Sequence, residues 1–328
     1  MKKLLLSAVL VAATWALVSC TAKDTGPANE VLSKKSFSAA IAKYEDISDF
    51  KDGVAIVEVI DGYSYRYGLI NAKGEEIVAC NYESINPSSC GMILFEDDNG
   101  KGFMNTKGEV IVASGKYAYP KDFSENLAYV EKDGLAGFIN VKGEEVIPCS
   151  FEYAHSFTEG LALVKTDGKF GYINNKGEFV VAPSFDDGEI FSCGVAIVEK
   201  GSKEYVIDAK GEIIFSIDNK EGYFIEETFS DNLTPVLKEQ GNEMFVVYMN
   251  TKGKEVFECQ YGWGFEKGTA TILKDNKVYN VNTKGEIIEE VSSTEILLDF
   301  LDDAYYVIDL TAKTLIDLLG EDTYDEEW

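Results

Sequence analysis

The sequence predicts an all-β fold built from repeated units of about 34 residues. Three observations support this prediction. A tetrad of the form Asn/Asp-x-Lys-Gly recurs along the chain, and tight-turn dipeptides of the Asp-Gly type recur between apolar runs. No stretch between these turns has the 3.6-residue period of an amphipathic helix. The 328 residues include only 6 prolines, which leaves the apolar runs free to pair as strands.

The tetrad is the clearest element of the repeat. Its glycines are 32 to 42 residues apart along the chain. The seven copies occupy residues 71–74, 105–108, 140–143, 174–177, 208–211, 250–253 and 282–285. The Asn or Asp side chain can bond its own backbone to open a turn, and glycine supplies the left-handed residue of a bulged hairpin loop. Each tetrad is therefore predicted to be the tip of a β-hairpin.

A second pattern precedes each hairpin. Phe50, Phe123, Phe157 and Phe191 each stand three residues before a glycine or asparagine that leads into an apolar run. These runs end in tight-turn signals such as Asp133-Gly134. One unit is thus predicted to contain a strand, an Asp-Gly-type turn, a strand, the tetrad turn, a strand, and an aromatic-flanked segment that we interpret as a short fourth strand.

Units of this length cannot bury an apolar face alone, so neighbouring units must stack. We expect seven clear units and a degenerate eighth near residues 304–317. A closed β-propeller is favoured, and an open stack of β-hairpins is the alternative. The segment from Ile41 to Tyr44 matches the last segment of a unit, which suggests that it completes the C-terminal unit of a ring. A short distance between Ile41 and Ile316 would indicate closure.

These motifs resemble the WG-repeat family of bacterial β-repeat proteins. The best matches run from Gly168 to Phe185 and from Gly137 to Pro148, and the resemblance covers roughly residues 49–290. The family's tryptophan before the glycine is replaced here by Tyr67, Ala136 or Phe170. The resemblance implies the fold, and it brings no established activity with it.

The N-terminus has the pattern of an export signal. Lys2 and Lys3 precede an apolar run over residues 4–18, which is shorter than the roughly 20 residues of a spanning helix. The run ends in Leu17-Val18-Ser19-Cys20, which resembles the bacterial lipobox, in which lipid is attached to the cysteine. We therefore predict a lipoprotein signal peptide at 1–19, a lipidated Cys20 with a flexible tether at 20–40, a repeat domain at 41–318, and an acidic tail at 319–328.

This signal predicts an extracytoplasmic location in the bacterial cell envelope, held at the membrane through the lipid on Cys20. Thr21 follows the cysteine in place of an aspartate that would signal retention at the inner membrane. In a Gram-negative cell the expected location is therefore the outer membrane or the surface.

Composition excludes several classes of function. The chain has 57 acidic residues against 30 lysines and arginines, a net charge of -27, and a single arginine, Arg66. Such a chain repels phosphate backbones, so no nucleic-acid partner is expected. There is one histidine, His155, which we predict to face solvent in a connecting segment. We expect no catalytic residues and no cofactor. We also expect no metal site, because the acidic run 96–98 lacks the ligand spacing of a calcium loop.

The cysteines fall at repeated positions. Cys80, Cys149 and Cys259 each lie seven residues after a tetrad lysine, whereas Cys90 and Cys193 each precede a glycine of the aromatic pattern. We interpret both positions as small apolar slots. A disulfide between Cys80 and Cys90 remains open at this point.

These observations favour a non-catalytic scaffold, a monomer, that binds a protein or glycan partner. Trp263 in the segment Tyr261-Gly-Trp-Gly264 is the best single candidate for a binding contact, with a core aromatic as the other interpretation. The alternative is an extracytoplasmic hydrolase that acts on glycans, with carboxylates gathered at one end of a propeller. It predicts that a few acids depart from the repeat pattern and converge in a pocket.

Overall fold

The computed structural model describes residues 40–291, apart from residues 219–221, 226, 241–242 and 276. The predicted signal peptide, Cys20, the tether up to residue 39, the degenerate eighth unit and the acidic tail lie outside the described residues. The distance between Ile41 and Ile316 therefore lies outside them too.

The described strands form seven antiparallel sheets, which we number in chain order. Sheet 1 contains β1 (Asp46–Ile47), β2 (Val54–Asp61), β3 (Ser64–Asn71) and β4 (Glu76–Tyr82). Sheet 2 contains β5 (Ser84–Ile85), β6 (Met92–Asp97), β7 (Gly100–Asn105) and β8 (Val110–Val112). Sheet 3 contains β9 (Leu127–Lys132), β10 (Leu135–Asn140) and β11 (Glu145–Phe151). Sheet 4 contains β12 (Tyr153–Ala154), β13 (Leu161–Thr166), β14 (Lys169–Asn174) and β15 (Phe179–Phe185).

The last three sheets repeat the same order. Sheet 5 contains β16 (Asp187–Gly188), β17 (Val195–Lys200), β18 (Lys203–Asp208) and β19 (Ile213–Asp218). Sheet 6 contains β20 (Tyr223–Ile225), β21 (Leu233–Gln240), β22 (Glu243–Asn250) and β23 (Glu255–Cys259). Sheet 7 contains β24 (Tyr261–Gly262), β25 (Thr269–Lys274), β26 (Lys277–Asn282) and β27 (Ile287–Glu290). In sheet 3, a single bridge between Ala118 and Glu131 takes the place of the short first strand. The predicted all-β repeat is confirmed.

Each sheet is a simple meander, and the chain passes from the last strand of one sheet to the first strand of the next. Only one residue separates the end of β15 at Phe185 from the start of β16 at Asp187. The expectation that the N-terminal segment completes the last unit stays a prediction, because that unit lies outside the described residues. Strand β1 pairs with β2 of its own sheet, and Ile41 and Tyr44 pack on that sheet too. Sheet 1 therefore takes its first strand from residues 46–47, and the segment 41–44 packs beside it.

The tetrad turns form as predicted, with one addition. In the copy that begins at Asn174, the Oδ1 atom accepts the backbone N–H groups of Lys176 and Glu178 at 2.9 and 3.1 Å. The Nδ2 group of Asn174 also donates to the Glu178 carboxylate at 2.8 Å. The glutamate after the glycine is therefore a partner in the turn. The same contact recurs at Glu75, Glu109, Glu144 and Glu286.

A third turn in each unit escaped prediction. Ser124 and Leu127 exchange two backbone hydrogen bonds across a two-residue loop. The loop residues Glu125 and Asn126 have φ values of 52° and 66°. This is the geometry of a type I′ hairpin turn, and it joins the aromatic pattern to the following strand. Equivalent bridges occur at residues 51–54, 89–92, 158–161, 192–195, 230–233 and 266–269.

A glycine in the third strand of several units controls the pairing of the fourth strand. A β-carbon on Gly171 would lie 2.6 Å from the Val181 carbonyl oxygen and 2.8 Å from the Pro183 nitrogen. Beside this glycine the register shifts, because Phe170 faces Phe185 while Tyr172 faces Val181. In sheet 5 the equivalent residue is Tyr205, and the register there runs on without that shift. Because Gly171 has no side chain, the backbone of β14 can come close to the backbone of β15 at this position.

Apolar cores lie between consecutive sheets. The core shared by sheets 3 and 4 combines Phe138 of β10 with Phe157 and Val164 of the next unit, all fully buried. Phe138 and Phe157 meet edge to face, with ring centroids 4.8 Å apart. Similar clusters join sheets 1 and 2, 2 and 3, 4 and 5, 5 and 6, and 6 and 7. Because both faces are covered, strand β13 buries four successive residues over 161–164.

The main contacts between described strands join sheets that are the same or consecutive in the chain. This is the packing that the stacked-unit prediction requires, and the choice between a closed ring and an open stack depends on residues outside the described part. Within the described residues, no helix is long and apolar enough to cross a membrane.

Candidate functional site

One residue in each unit occupies an equivalent place at the grooves between sheets. It lies two positions before the aromatic residue of the repeat pattern, or before Ser88 in the second unit. We call these seven positions the groove row. Its members are Ser48, Asn86, Lys121, His155, Glu189, Glu227 and Trp263.

The backbone holds the groove row in the same way in successive units. The N–H group of His155 donates to the Leu163 carbonyl oxygen at 2.8 Å, and that of Glu189 donates to Ile197 at 2.9 Å. The N–H group of Trp263 makes the same bond to Thr271 at 3.1 Å. Bonds of this kind also hold the N–H groups of Ser48, Asn86 and Lys121.

Buried tyrosines of the preceding unit hold two members of the row through hydrogen bonds to their backbone carbonyl oxygens. The hydroxyl group of Tyr172 donates to the Glu189 carbonyl oxygen at 2.6 Å, and that of Tyr248 donates to the Trp263 carbonyl oxygen at 2.5 Å. Neither tyrosine is exposed, and burial raises the pKa of both phenols well above the usual value. The phenols therefore remain protonated donors at neutral pH, and they hold the row in place.

The row brings together residues that are far apart in the sequence. His155, the single histidine, and Trp263, the candidate binding contact, lie at the same repeat position as Glu227. The prediction that His155 faces solvent is wrong, because its side chain is half-buried and its Nδ1 atom is fully covered. Trp263 is half-buried at sheet 7, and its role as a contact stays a prediction.

In the part of the chain that the structure describes, neighbouring members of the row enclose cavities, of which three are described below. The largest, about 540 Å³, lies between His155 and Glu189, and we call it the aromatic cavity because Tyr153 and Phe170 form part of its wall. The next, about 370 Å³, lies between Glu189 and Glu227, and we call it the acidic cavity. A smaller one of about 240 Å³ lies between Ser48 and Asn86. Each falls at an equivalent junction between consecutive sheets.

Electrostatics differ along the row. Partial burial of the Glu189 carboxyl raises its pKa, and the charges of Asp187 and Glu199 raise it further. Burial lowers the pKa of His155, and the nearby Lys121 ammonium lowers it further. His155 is therefore neutral at pH 7, so it adds no positive charge to the cavities beside it.

A second repeated position links the type I′ turns of consecutive units. The Glu159 carboxylate accepts the Gly194 N–H group at 2.8 Å, and the Asp231 carboxylate accepts that of Gly268 at 2.7 Å. Glu125 accepts the N–H group of Gly160 in the same way, at 3.0 Å. We call this set of bonds the inter-unit ladder.

Two cysteines belong to the ladder. The exposed Cys90 does not fill an apolar slot, whereas Cys193 also packs against the apolar core between sheets 5 and 6. The sulfur atoms of Cys90 and Cys193 accept the N–H groups of Asn126 and Asn232, each at 3.4 Å. Both cysteines have left-handed φ values, and Cys90 is exposed. The slot interpretation agrees better with Cys259, which is buried in the core between sheets 6 and 7.

All five cysteines in the described part of the chain are free thiols, including Cys80 and Cys90. Within the same residues, no group of three or more histidine, cysteine, aspartate or glutamate side chains is arranged to hold a metal ion. The acidic run 96–98 belongs to a hairpin turn, where the Asp97 carboxylate accepts the Asn99 N–H group at 2.8 Å.

The family described as "WG containing repeat" matches the chain at six places. The matches cover residues 41–63, 67–101, 102–135, 137–170, 170–203 and 248–277. Together they span more than half of the chain. The chain belongs to this family. The WG-repeat matches begin and end at other points of the unit than the sheets do. A repeated sequence can be divided into units at any point, so the two divisions need not coincide.

Several solved structures share part of the fold at low sequence identity. One, a eukaryotic initiation factor, is 11% identical, with 74% of each chain covered and a TM-score of 0.48. A structure of prolyl endopeptidases is 13% identical and covers 78% of this chain and 51% of its own, with a TM-score of 0.42. The Pan2 WD40 domain of Neurospora crassa is 12% identical, with 62% and 75% covered and a TM-score of 0.34. No curated protein matches this chain in sequence.

Proposed function

We propose that this WG-repeat protein is a lipid-anchored scaffold of the bacterial cell envelope that binds a protein or glycan partner and catalyses no reaction. The groove row carries the proposal. Six of its seven positions make the same backbone hydrogen bond, yet the side chains along the row include a hydroxyl, an amide, a lysine, a histidine, two carboxylates and an indole. Positions that serve the fold keep one residue type in most units, as the phenylalanines two residues later do.

A regular scaffold with one varied row is the usual design of repeat proteins that recognise a macromolecule. The three cavities add concave contact area along the row. Trp263 supplies an aromatic surface at the C-terminal end of the row, and residues of this type often dominate binding energy.

The anchor part of the proposal rests on the sequence of residues 1–40. Acyl chains on Cys20 would hold the repeat domain at the membrane, and a tether of about 20 residues would let it move away from the surface. Metabolic labelling with a palmitate analogue tests the anchor. We expect label and membrane association in the unaltered chain and neither in Cys20→Ala, and a Cys20→Ala chain that keeps its label would refute the anchor.

Site-specific cross-linking tests the binding surface. A photoreactive amino acid at Glu189 or Trp263 should cross-link the full chain to a partner in intact cells. The same amino acid at Lys142, in the tip of the tetrad turn of sheet 3, is the matched control. Cross-links from the row and none from Lys142 would support the proposal, whereas equal capture from all three positions would contradict it.

One observation favours a second candidate, a hydrolase that acts on glycans. Glu189 has a raised pKa and lies near the carboxylate of Asp187, which resembles the acid and base pairing of glycoside cleavage. The test is hydrolysis of a panel of bacterial glycans by the full chain. Loss of measured hydrolysis in Glu189→Gln would support this candidate, and absence of any hydrolysis by the unaltered chain would remove it.

A further inference from the structure

The two larger cavities share one wall segment. Both are lined by Asp187, Gly188 and Glu189, which lie between them. The aromatic cavity opens on one side of this segment, toward sheet 4, and the acidic cavity opens on the other, toward sheet 6. A ligand longer than a single residue can therefore contact both.

The aromatic cavity has an apolar wall. Tyr153 and Phe170 lie edge to face, with ring centroids 6.1 Å apart, and Leu163 and Ile190 complete the wall. The Lys165 ammonium lies over one face of the Phe170 ring, 4.9 Å from its centroid, so the protein's own cation already packs on this ring. Tyr153 is 40% exposed, which leaves a further ring within reach of a ligand.

The acidic cavity has a strongly negative lining. Its five carboxylates are those of Asp187, Glu189, Glu199, Glu204 and Glu227, and no lysine or arginine lines it. Glu204 is buried, and its Oε2 atom accepts the Ile225 N–H group at 3.1 Å. Partial burial and mutual repulsion raise the pKa of Glu189, so an incoming positive charge would relieve repulsion among these groups.

A polar atom in the wall of the aromatic cavity is not satisfied by the protein. His155 lines this wall, and its Nδ1 atom is buried without a hydrogen-bond partner in the described part of the chain. Buried nitrogen atoms normally have a partner, so this covered atom marks a place where the fold leaves a polar group unpaired beside the cavity.

We propose that the two cavities bind an extended basic peptide segment of a protein partner, with lysine or arginine stems against Tyr153 and Phe170 and the charged groups among the carboxylates around Glu189. This inference rests on the proposed binding function and specifies its ligand. Aliphatic stems suit the apolar wall, and ammonium or guanidinium groups suit the five carboxylates. A neutral glycan would match the rings but would leave the clustered charges uncompensated.

Titration calorimetry with penta-lysine and the full chain in detergent micelles tests the inference. We expect penta-lysine to bind, and penta-glutamate not to bind. The double substitution Glu189→Gln with Glu227→Gln should weaken binding about tenfold, since it removes two partly exposed charge contacts. Binding should also weaken as salt is raised.

The matched control removes the same charge elsewhere. Asp98→Asn with Glu212→Gln alters two exposed acids that line neither cavity, and it should leave the affinity unchanged. An equal loss in both double variants would overturn the proposal, because the attraction would then come from the overall charge. Circular dichroism and melting temperature establish that both variants fold.

Two further outcomes separate this inference from the proposed function. Binding of chitotetraose in place of penta-lysine would overturn the basic-peptide assignment in favour of a glycan. Failure of penta-lysine to bind, with row-specific cross-links still present in cells, would refute this inference alone. Absence of row-specific cross-links would refute the proposed function itself.

Discussion

Gly211, in the tetrad turn of sheet 5, lies directly against Val181 in the last strand of sheet 4. A β-carbon on Gly211 would be 2.9 Å from the Cγ2 atom of Val181. The glycine therefore meets two requirements, a left-handed backbone with φ of 82° and close contact with the preceding unit. Similar contacts join Gly108 to Val78 and Gly177 to Ile147, so the tetrad holds units together as well as closing a hairpin.

We predict that Gly211→Ala destabilises the domain more than Gly160→Ala does. Gly160 has the same φ of 82°, but an added β-carbon there would meet nothing within 4 Å. The control should cost about 1–2 kcal/mol for the left-handed backbone, and Gly211→Ala should cost about 1–3 kcal/mol more for overpacking. Urea unfolding measures both, and equal losses would show that the contact with Val181 does not matter.

Gly171→Ala should cost about 2 kcal/mol or more, because the atoms in its way belong to the backbone of β15 and cannot rotate aside. Gly188→Ala is the comparison, since a β-carbon there would meet side chains of Leu163, Tyr172 and Val198 at 3.2–3.3 Å. Side chains can shift by a few tenths of an ångström, so we expect a smaller loss. Urea unfolding decides the order, and a larger loss at Gly188 would contradict it.

Breaking one bond of the inter-unit ladder should weaken the stack measurably. Glu159→Ala removes the acceptor of the Gly194 N–H group, and we expect a loss of about 1 kcal/mol in the free energy of unfolding. Glu159→Gln keeps an amide oxygen at the same place and should retain most of the stability. If both variants lose the same amount in thermal and urea unfolding, the hydrogen bond is not the cause.

Thiol labelling should distinguish the two classes of cysteine. Cys90 is exposed, so it should react fastest with iodoacetamide in the native protein. Cys259 is buried, and burial raises its pKa to about 12, so it should react slowest. Peptide mass spectrometry resolves the sites, and rapid labelling of Cys259 under native conditions would contradict its placement in the core.

Stability should depend on pH through Glu189. Because its pKa is raised in the folded state, it contributes stability below about pH 4.5, and this contribution is lost as pH rises through the raised value. Glu189→Gln should therefore raise the melting temperature at pH 7, with a smaller difference at pH 4. Glu212→Gln, at an exposed loop position, should change it little, and a lower melting temperature for Glu189→Gln at pH 7 would refute the prediction.

A stabilising substitution at Glu189 that weakens binding would fit a residue retained for function. Groups that carry function often reduce stability where they stand, and neighbouring structure compensates. Tyr172 is part of such neighbouring structure, because its buried hydroxyl group donates a hydrogen bond to the Glu189 carbonyl oxygen.

The sequence alone determined the number of clear units and most of their turns. Turn chemistry is local, since the Asn174 side chain bonds groups only two and four residues away, and Asp133-Gly134 closes a two-residue loop. The apolar runs and the buried phenylalanines follow from the same short-range pattern. The WG-repeat resemblance and the all-β class could therefore be inferred without coordinates.

Only the tertiary structure decided which residues meet between units. The partners of Cys90 and Glu159 lie 36 and 35 residues away, so no local pattern reveals them. The groove row was partly visible, because a gap-free alignment places His155 opposite Glu189, but cavities beside it depend on how far the sheets diverge. Contacts such as that of Gly211 with Val181 join residues of different units, and turn spacing does not encode them.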